Sequence, residues 1–144
     1  LMEGLDILPT RTTPAVGYDP ATATLRLSGQ SYPENAFAFF AVIMDWLSAH
    51  LSTRPQTLRV EFRLDYFNTS SSKCLLDLLE SLEVHHQVNG GVEVIWYHEP
   101  DDEDMEDSGH DFGEDLALPF NVCPLESASQ PPGSTSQPPG STRN

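Results

Sequence analysis

The residues best suited to carry chemistry are five small polar side chains in a row, Asn68-Thr69-Ser70-Ser71-Ser72. They follow an alternating apolar run and precede a helical one. A helix start needs a cap, and Asn, Thr and Ser each supply an oxygen to a free N–H there. One cap suffices, and five such residues exceed that need. A helix N-terminus also favours a phosphate, through unpaired N–H donors and the helix dipole. A phosphate there adds about two negative charges to a surface without unfolding the domain. Pattern alone favours simple capping, with a phosphoacceptor role as the second reading.

The other reactive side chains form no recognisable machine. There is no Gly-rich phosphate loop, Walker sequence or nucleophile elbow. The histidines are His50, His85, His86, His98 and His110. Neighbours on a helix point about 100° apart, so His85 and His86 are poorly placed to chelate together. The acidic run over residues 101–115 lacks the ordered ligand spacing and central Gly of a calcium loop. It reads as a solvated face or a docking surface for a basic partner. No metal, cofactor or catalytic residue is expected. An enzyme using carboxylates between Asp101 and Asp115 is the weakest reading, because no base, nucleophile and oxyanion donor occur together.

Composition narrows the partners. The formal net charge is −15, so nucleic acid and anionic membrane surfaces are unfavourable partners. Two cysteines, Cys74 and Cys123, are too few for a disulfide-stapled scaffold and suit a reducing cytoplasm. No basic segment followed by an apolar stretch marks a signal peptide. The apolar-rich run from Ala36 to Leu51 is too short and too polar to span a bilayer.

The elements that would position the cluster are mixed α/β. Pro14 to Tyr18 and Thr22 to Ser28 predict two strands of a hairpin, joined through Asp19-Pro20. Ser31-Tyr32-Pro33-Glu34 has the spacing of a capping box, with Pro33 in the first helical turn. The helix it opens runs to about Leu51, burying Phe37, Phe40, Ile43, Met44 and Leu47. Thr57 to Phe67 is the clearest strand, with Leu58, Val60, Phe62, Leu64 and Tyr66 on one side and Arg59, Glu61, Arg63 and Asp65 on the other. This alternation predicts a sheet with one covered and one open face. A second helix spans about Ser70 to Val88, with Cys74, Leu75, Leu78, Leu79 and Leu82 as its stripe and Asn89-Gly90-Gly91 as its end. Val92 to His98 is the next strand. Ile95 and Tyr97 lie opposite Val94 and Trp96, which suggests either a partner surface or a central strand covered on both sides. Met105, Phe112 and Leu116 can anchor an acidic third helix, and Leu118 to Val122 a last strand.

The order β-β-α-β-α-β-α-β, with right-handed crossovers, places consecutive helices on one side of the sheet. The expected fold class is α/β, a single mixed sheet of four to five strands with helices mainly on one face. It occupies residues 1–123. Residues 124–144 hold a doubled SQPPGST string with no core-forming residues, and predict a flexible tail.

Three segments carry a resemblance: Ser31-Tyr32-Pro33-Glu34-Asn35, Asp65 through Lys73, and Asp102-Glu103-Asp104-Met105. In order and spacing, over roughly residues 6 to 122, they resemble the SiaC family of bacterial regulatory phosphoproteins. The resemblance implies a non-enzymatic signalling adaptor acted on by a Ser/Thr kinase and a PP2C-type phosphatase. It implies that the unphosphorylated form binds and activates a diguanylate cyclase, in cyclic-di-GMP and biofilm control. By position it puts the phosphoacceptor on Thr69, with Ser70 and Ser71 as alternates. It puts the partner face on Tyr32, Pro33, Glu34, Asn35, Asn68, Thr69, Ser70 and Ser71. Where the family pattern has Ser after YPEN, this chain has Ala36. The topology also resembles the STAS fold of anti-sigma-factor antagonists, and a STAS-type antagonist in a partner-switching pathway is the alternative function.

Overall fold

A computed structural model describes residues 4–126 of the chain. A six-stranded mixed sheet runs in sequence order, β1 (Asp6–Ile7), β2 (Ala15–Asp19), β3 (Thr24–Ser31), β4 (Leu58–Phe67), β5 (Val92–His98) and β6 (Phe120–Pro124). The first three strands pair antiparallel, and β3 through β6 pair parallel. Helices α1 (Ala36–Ser52), α2 (Thr69–Asn89) and α3 (Glu103–Gly113) fill the three parallel crossovers. Sequential order with crossovers of one hand stacks them on one face. The fold is therefore the expected α/β sheet, with one strand more than predicted. The addition, β1, is two residues long and too short to leave a periodic signature. The predicted tail falls, from residue 127 on, outside the described residues. Pro124 belongs to β6, and the Leu125 N–H bonds to the His98 carbonyl at 2.6 Å.

The core lies between the helices and the inner face of β3, β4 and β5. Leu25, Leu27, Val60, Phe62, Val94 and Trp96 are sealed from solvent there, under Phe40, Ile43 and Leu47 of α1 and the leucine stripe of α2. Trp96 is held further by its indole N–H, which donates to the Met105 carbonyl at 3.0 Å. Gly109 of α3 rides directly over that ring; a Cβ there would collide with Trp96 Cδ1.

The opposite face carries a charge ladder. Glu61 is 4% exposed, yet three arginines ring its carboxylate: Arg26 at 2.9 Å, Arg63 at 3.5 Å and Arg59 at 3.7 Å. Such surroundings compensate a desolvated charge. Tyr97 lies under the Arg63 guanidinium, 4.7 Å from the ring centre. Strand β5 lies between β4 and β6, and Ile95 on this outer face is 8% exposed while Val94 and Trp96 are sealed on the inner one, so the strand is covered on both sides near its middle as expected.

Two expectations are overturned. Ser31 does not cap α1, and Pro33 is not in its first turn. Ser31 ends β3, and α1 is capped by Asn35, whose side chain accepts from the Ala38 N–H at 3.1 Å. Starting at Ala36, the helix buries Ala36, Phe40, Ile43 and Leu47 and leaves Phe37 75% exposed. Tyr66 does not continue the inner face of β4. A register shift at Gly29/Gln30 pairs Gly29 with Leu64 but Gln30 with Tyr66. The extra residue re-aims the end of the strand, as bulges do. Tyr66 turns outward, and Phe67 packs on Trp96 and Phe112.

Candidate functional site

Parallel strands β3 and β4 end side by side, with Ser31 opposite Phe67. Each feeds a helix through a short connection, so the starts of α1 and α2 meet at one edge of the sheet. In parallel α/β sheets this edge is where ligands and partners are met. Both caps are asparagines. The Asn68 side chain accepts from the Ser71 N–H at 2.9 Å, and its carbonyl accepts from the Ser72 N–H at 2.9 Å. The Asn68 N–H in turn donates to the Ser31 carbonyl at 3.0 Å, tying the two connections together.

The hydroxyls of the cluster have different fates. Thr69 and Ser70 are the first two helical residues and are exposed. Their N–H groups have no intrahelical acceptor. Thr69 Oγ1 makes no hydrogen bond among the described residues. Ser71 is fully buried, and its Oγ lies 2.8 Å from Ser31 Oγ. In this fold it is out of reach of a kinase or a partner, and acts as an internal fastener.

One turn on from Thr69 stands Lys73, the only lysine in the sequence. It is exposed and makes no ion pair among the described residues. An anion four residues N-terminal to a lysine is well placed to pair with it along a helix. A groove of about 450 Å³ opens beside it between α1 and α2. Glu34, Asn35 and Ser70, three residues of the expected partner face, line it together with Phe37, Lys73 and Leu76. Tyr32 and Pro33 are half-buried beside them, the Tyr32 ring meeting Tyr66 edge-on at 5.8 Å. Asn68 is half-buried and committed to its cap.

Phe37 and Leu76 are additions to the expected site. Spacing alone puts Phe37 in the core, and only the true helix start exposes it. Cys74 forms part of the groove wall, and burial followed by the nearby Asp77 charge pushes its thiol above the ordinary value. Among the described residues no group of three or more His, Cys, Asp or Glu side chains could hold a metal ion. No helix among them is long and apolar enough to cross a membrane.

The fold and this edge have the make-up of a docking domain: two capped helix starts, an accessible threonine and an apolar groove. Comparison with known proteins gives the class a family. The SiaC family of regulatory phosphoproteins matches residues 7–125, and the chain belongs to that family. It is 35% identical over 121 residues to an uncharacterized protein of Pseudomonas aeruginosa (strain UCBPP-PA14), covering 84% of this chain and 96% of that one. The structure is similar to apo-SiaC from Pseudomonas aeruginosa, with a TM-score of 0.78 at 34% identity, covering 85% of this chain and 99% of that one. It is similar also to a chain in the crystal structure of the diguanylate cyclase SiaD in complex with its activator SiaC from the same species. There the TM-score is 0.80 at 34% identity, over 84% of this chain and 99% of that chain.

Proposed function

We propose that this chain is a non-enzymatic adaptor that activates a diguanylate cyclase when unphosphorylated and releases it when Thr69 is phosphorylated. The observation that carries the reading is the exposed Thr69 hydroxyl at the head of α2, one turn from Lys73 and the apolar α1–α2 groove. The likeness to a cyclase activator over nearly its whole length supports it. A partner seated over Phe37 and Leu76 strips water from the groove. A phosphate on Thr69 would bind the free N–H groups and Lys73, bringing about two charges and their hydration to the groove's edge. Docking would then require stripping that dianion, which is costly. A Ser/Thr kinase writes the mark and a PP2C-type phosphatase removes it; both act on an exposed residue in the cytoplasm.

The test is cyclic-di-GMP synthesis by a diguanylate cyclase from the same organism, with unmodified chain or chain phosphorylated by the cognate kinase. Mass spectrometry locates the phosphate. The unmodified chain should raise turnover, and the Thr69-phosphorylated chain should not. Phosphate outside residues 69 and 70, or equal activation by both forms, would overturn the reading.

A further inference from the structure

On the other side of α2 lies a second surface. Helix α2 packs on α1, whereas α3 packs on β5 and β6. The two helices therefore stand apart, and a trench of about 520 Å³ runs between them. Phe67, Phe112, Leu116 and the 41%-exposed Leu76 contribute its apolar surface. Its sides are acidic: Glu80 and Glu83 from α2, Asp111 and Asp115 from α3 and the turn after it. Glu83 is partly spent, since its carboxylate accepts the Ala117 N–H at 2.5 Å and ties the α3–β6 connection to α2. Glu80, Asp111 and Asp115 are exposed and make no ion pair among the described residues. Lys73, at the end nearest Thr69, is the one cation among the residues lining the trench.

An apolar trench flanked by unpaired carboxylates has one complementary occupant: a helix with an apolar stripe bordered by lysines and arginines. An acidic segment would be repelled, and an apolar one would leave the carboxylates desolvated and unpaired. The chain's net charge of −15 steers a basic partner toward it as well.

We propose that the α2–α3 trench is a second docking surface, which shares Lys73 and Leu76 with the α1–α2 groove and takes a basic amphipathic helix of another protein whether or not Thr69 carries a phosphate. This tolerance has a physical sign. The α1–α2 groove loses its partner when negative charge arrives at Thr69. The trench is already acidic, so the same charge leaves a basic helix bound as tightly or tighter.

The experiment uses the full chain and a helical peptide of about 18 residues, with leucines at i, i+3, i+4 and i+7 and lysines and arginines on both flanks. Binding is followed by anisotropy and mapped by NMR shifts. The expected shifts centre on Leu76, Phe112 and Leu116. A peptide of the same stripe with glutamates on its flanks should not bind. The triple reversal Glu80→Lys, Asp111→Lys, Asp115→Lys should weaken the basic peptide about tenfold or more, while Asp45→Lys, on the exposed side of α1, should not. Phosphorylation at Thr69 should not release it. Shifts centred elsewhere, equal binding of the acidic peptide, full affinity in a folded triple variant, or release on phosphorylation would each overturn the proposal.

Discussion

The hydroxyl oxygens of Ser31 and Ser71 lie 2.8 Å apart, each residue 0% exposed, and so pin the end of β3 to the first turn of α2. A buried hydroxyl that loses its partner keeps its full desolvation penalty. Ser71→Ala should therefore cost about 1–3 kcal/mol in chemical denaturation. Adding Ser31→Ala should cost less than the sum of the two single changes, because the second removal leaves nothing unpaired.

At Gly109, α3 lies too close to Trp96 for any side chain. A methyl there must push the helix off the ring or force the indole from its bond to Met105. Gly109→Ala should destabilise by about 1–3 kcal/mol. Trp96 fluorescence in the folded variant should differ from that of the wild type, since either response changes the surroundings of the indole.

His50, in the last turn of α1, stacks on Trp46, 4.8 Å between centres and 9° from parallel, with Tyr18 across both rings. Burial, then the charge of His85, holds its pKa below the usual imidazole value. The unfolded chain thus binds the proton more readily than the folded one. The contribution is complete above about pH 6.5 and is lost as pH falls from there toward the lowered folded value. The melting temperature should rise between pH 5 and 7, and His50→Phe, which keeps the stack, should flatten part of that slope.

The two thiols should separate by reactivity. The raised pKa of Cys74 leaves little thiolate near neutrality, whereas Cys123 is half-buried on the edge strand β6. A thiol-specific reagent at pH 8 should label Cys123 first, and mass spectrometry of partly labelled protein should find Cys74 unmodified.

Phosphate on Thr69 should stabilise the isolated domain, by about 0.3–1 kcal/mol from the helix terminus. Lys73→Gln should reduce that gain and leave the unphosphorylated protein unchanged in denaturant titrations. An equal gain in the variant would remove Lys73 from the switch.

The helices and β4 are legible in the sequence because their apolar residues recur locally. Leu75, Leu78, Leu79 and Leu82 declare a helix face however the rest folds. The start of α1 is not, because Ser31 and Glu34 satisfy a capping pattern while Asn35 can cap as well. The choice between them is made by Ser71, forty residues away, which claims the Ser31 hydroxyl. Tyr66 escapes local reading for a related reason: one bulge against β3 reverses the alternation after Leu64, and no local pattern announces it. Composition is enough to locate the Thr69 cluster. Separating exposed Thr69 and Ser70 from buried Ser71 requires the neighbouring strand. The groove's Phe37 and Leu76 carry no signal, since exposed and buried apolar residues share an alphabet.

Both ends of α2 are fastened. Asn68 and the serine pair hold one; at the other, Gly91 at φ +84° sits so close to the Gln56 carbonyl that no side chain fits, and its own carbonyl accepts the Leu58 N–H at 2.8 Å. A beam clamped at both ends does not slide, so a phosphate placed on Thr69 would be felt by touch and charge rather than by movement. If the proposed partner seats over the same ledge, its occupancy would shield the threonine from a kinase, and the abundance of that partner would set how quickly the signal could be rewritten.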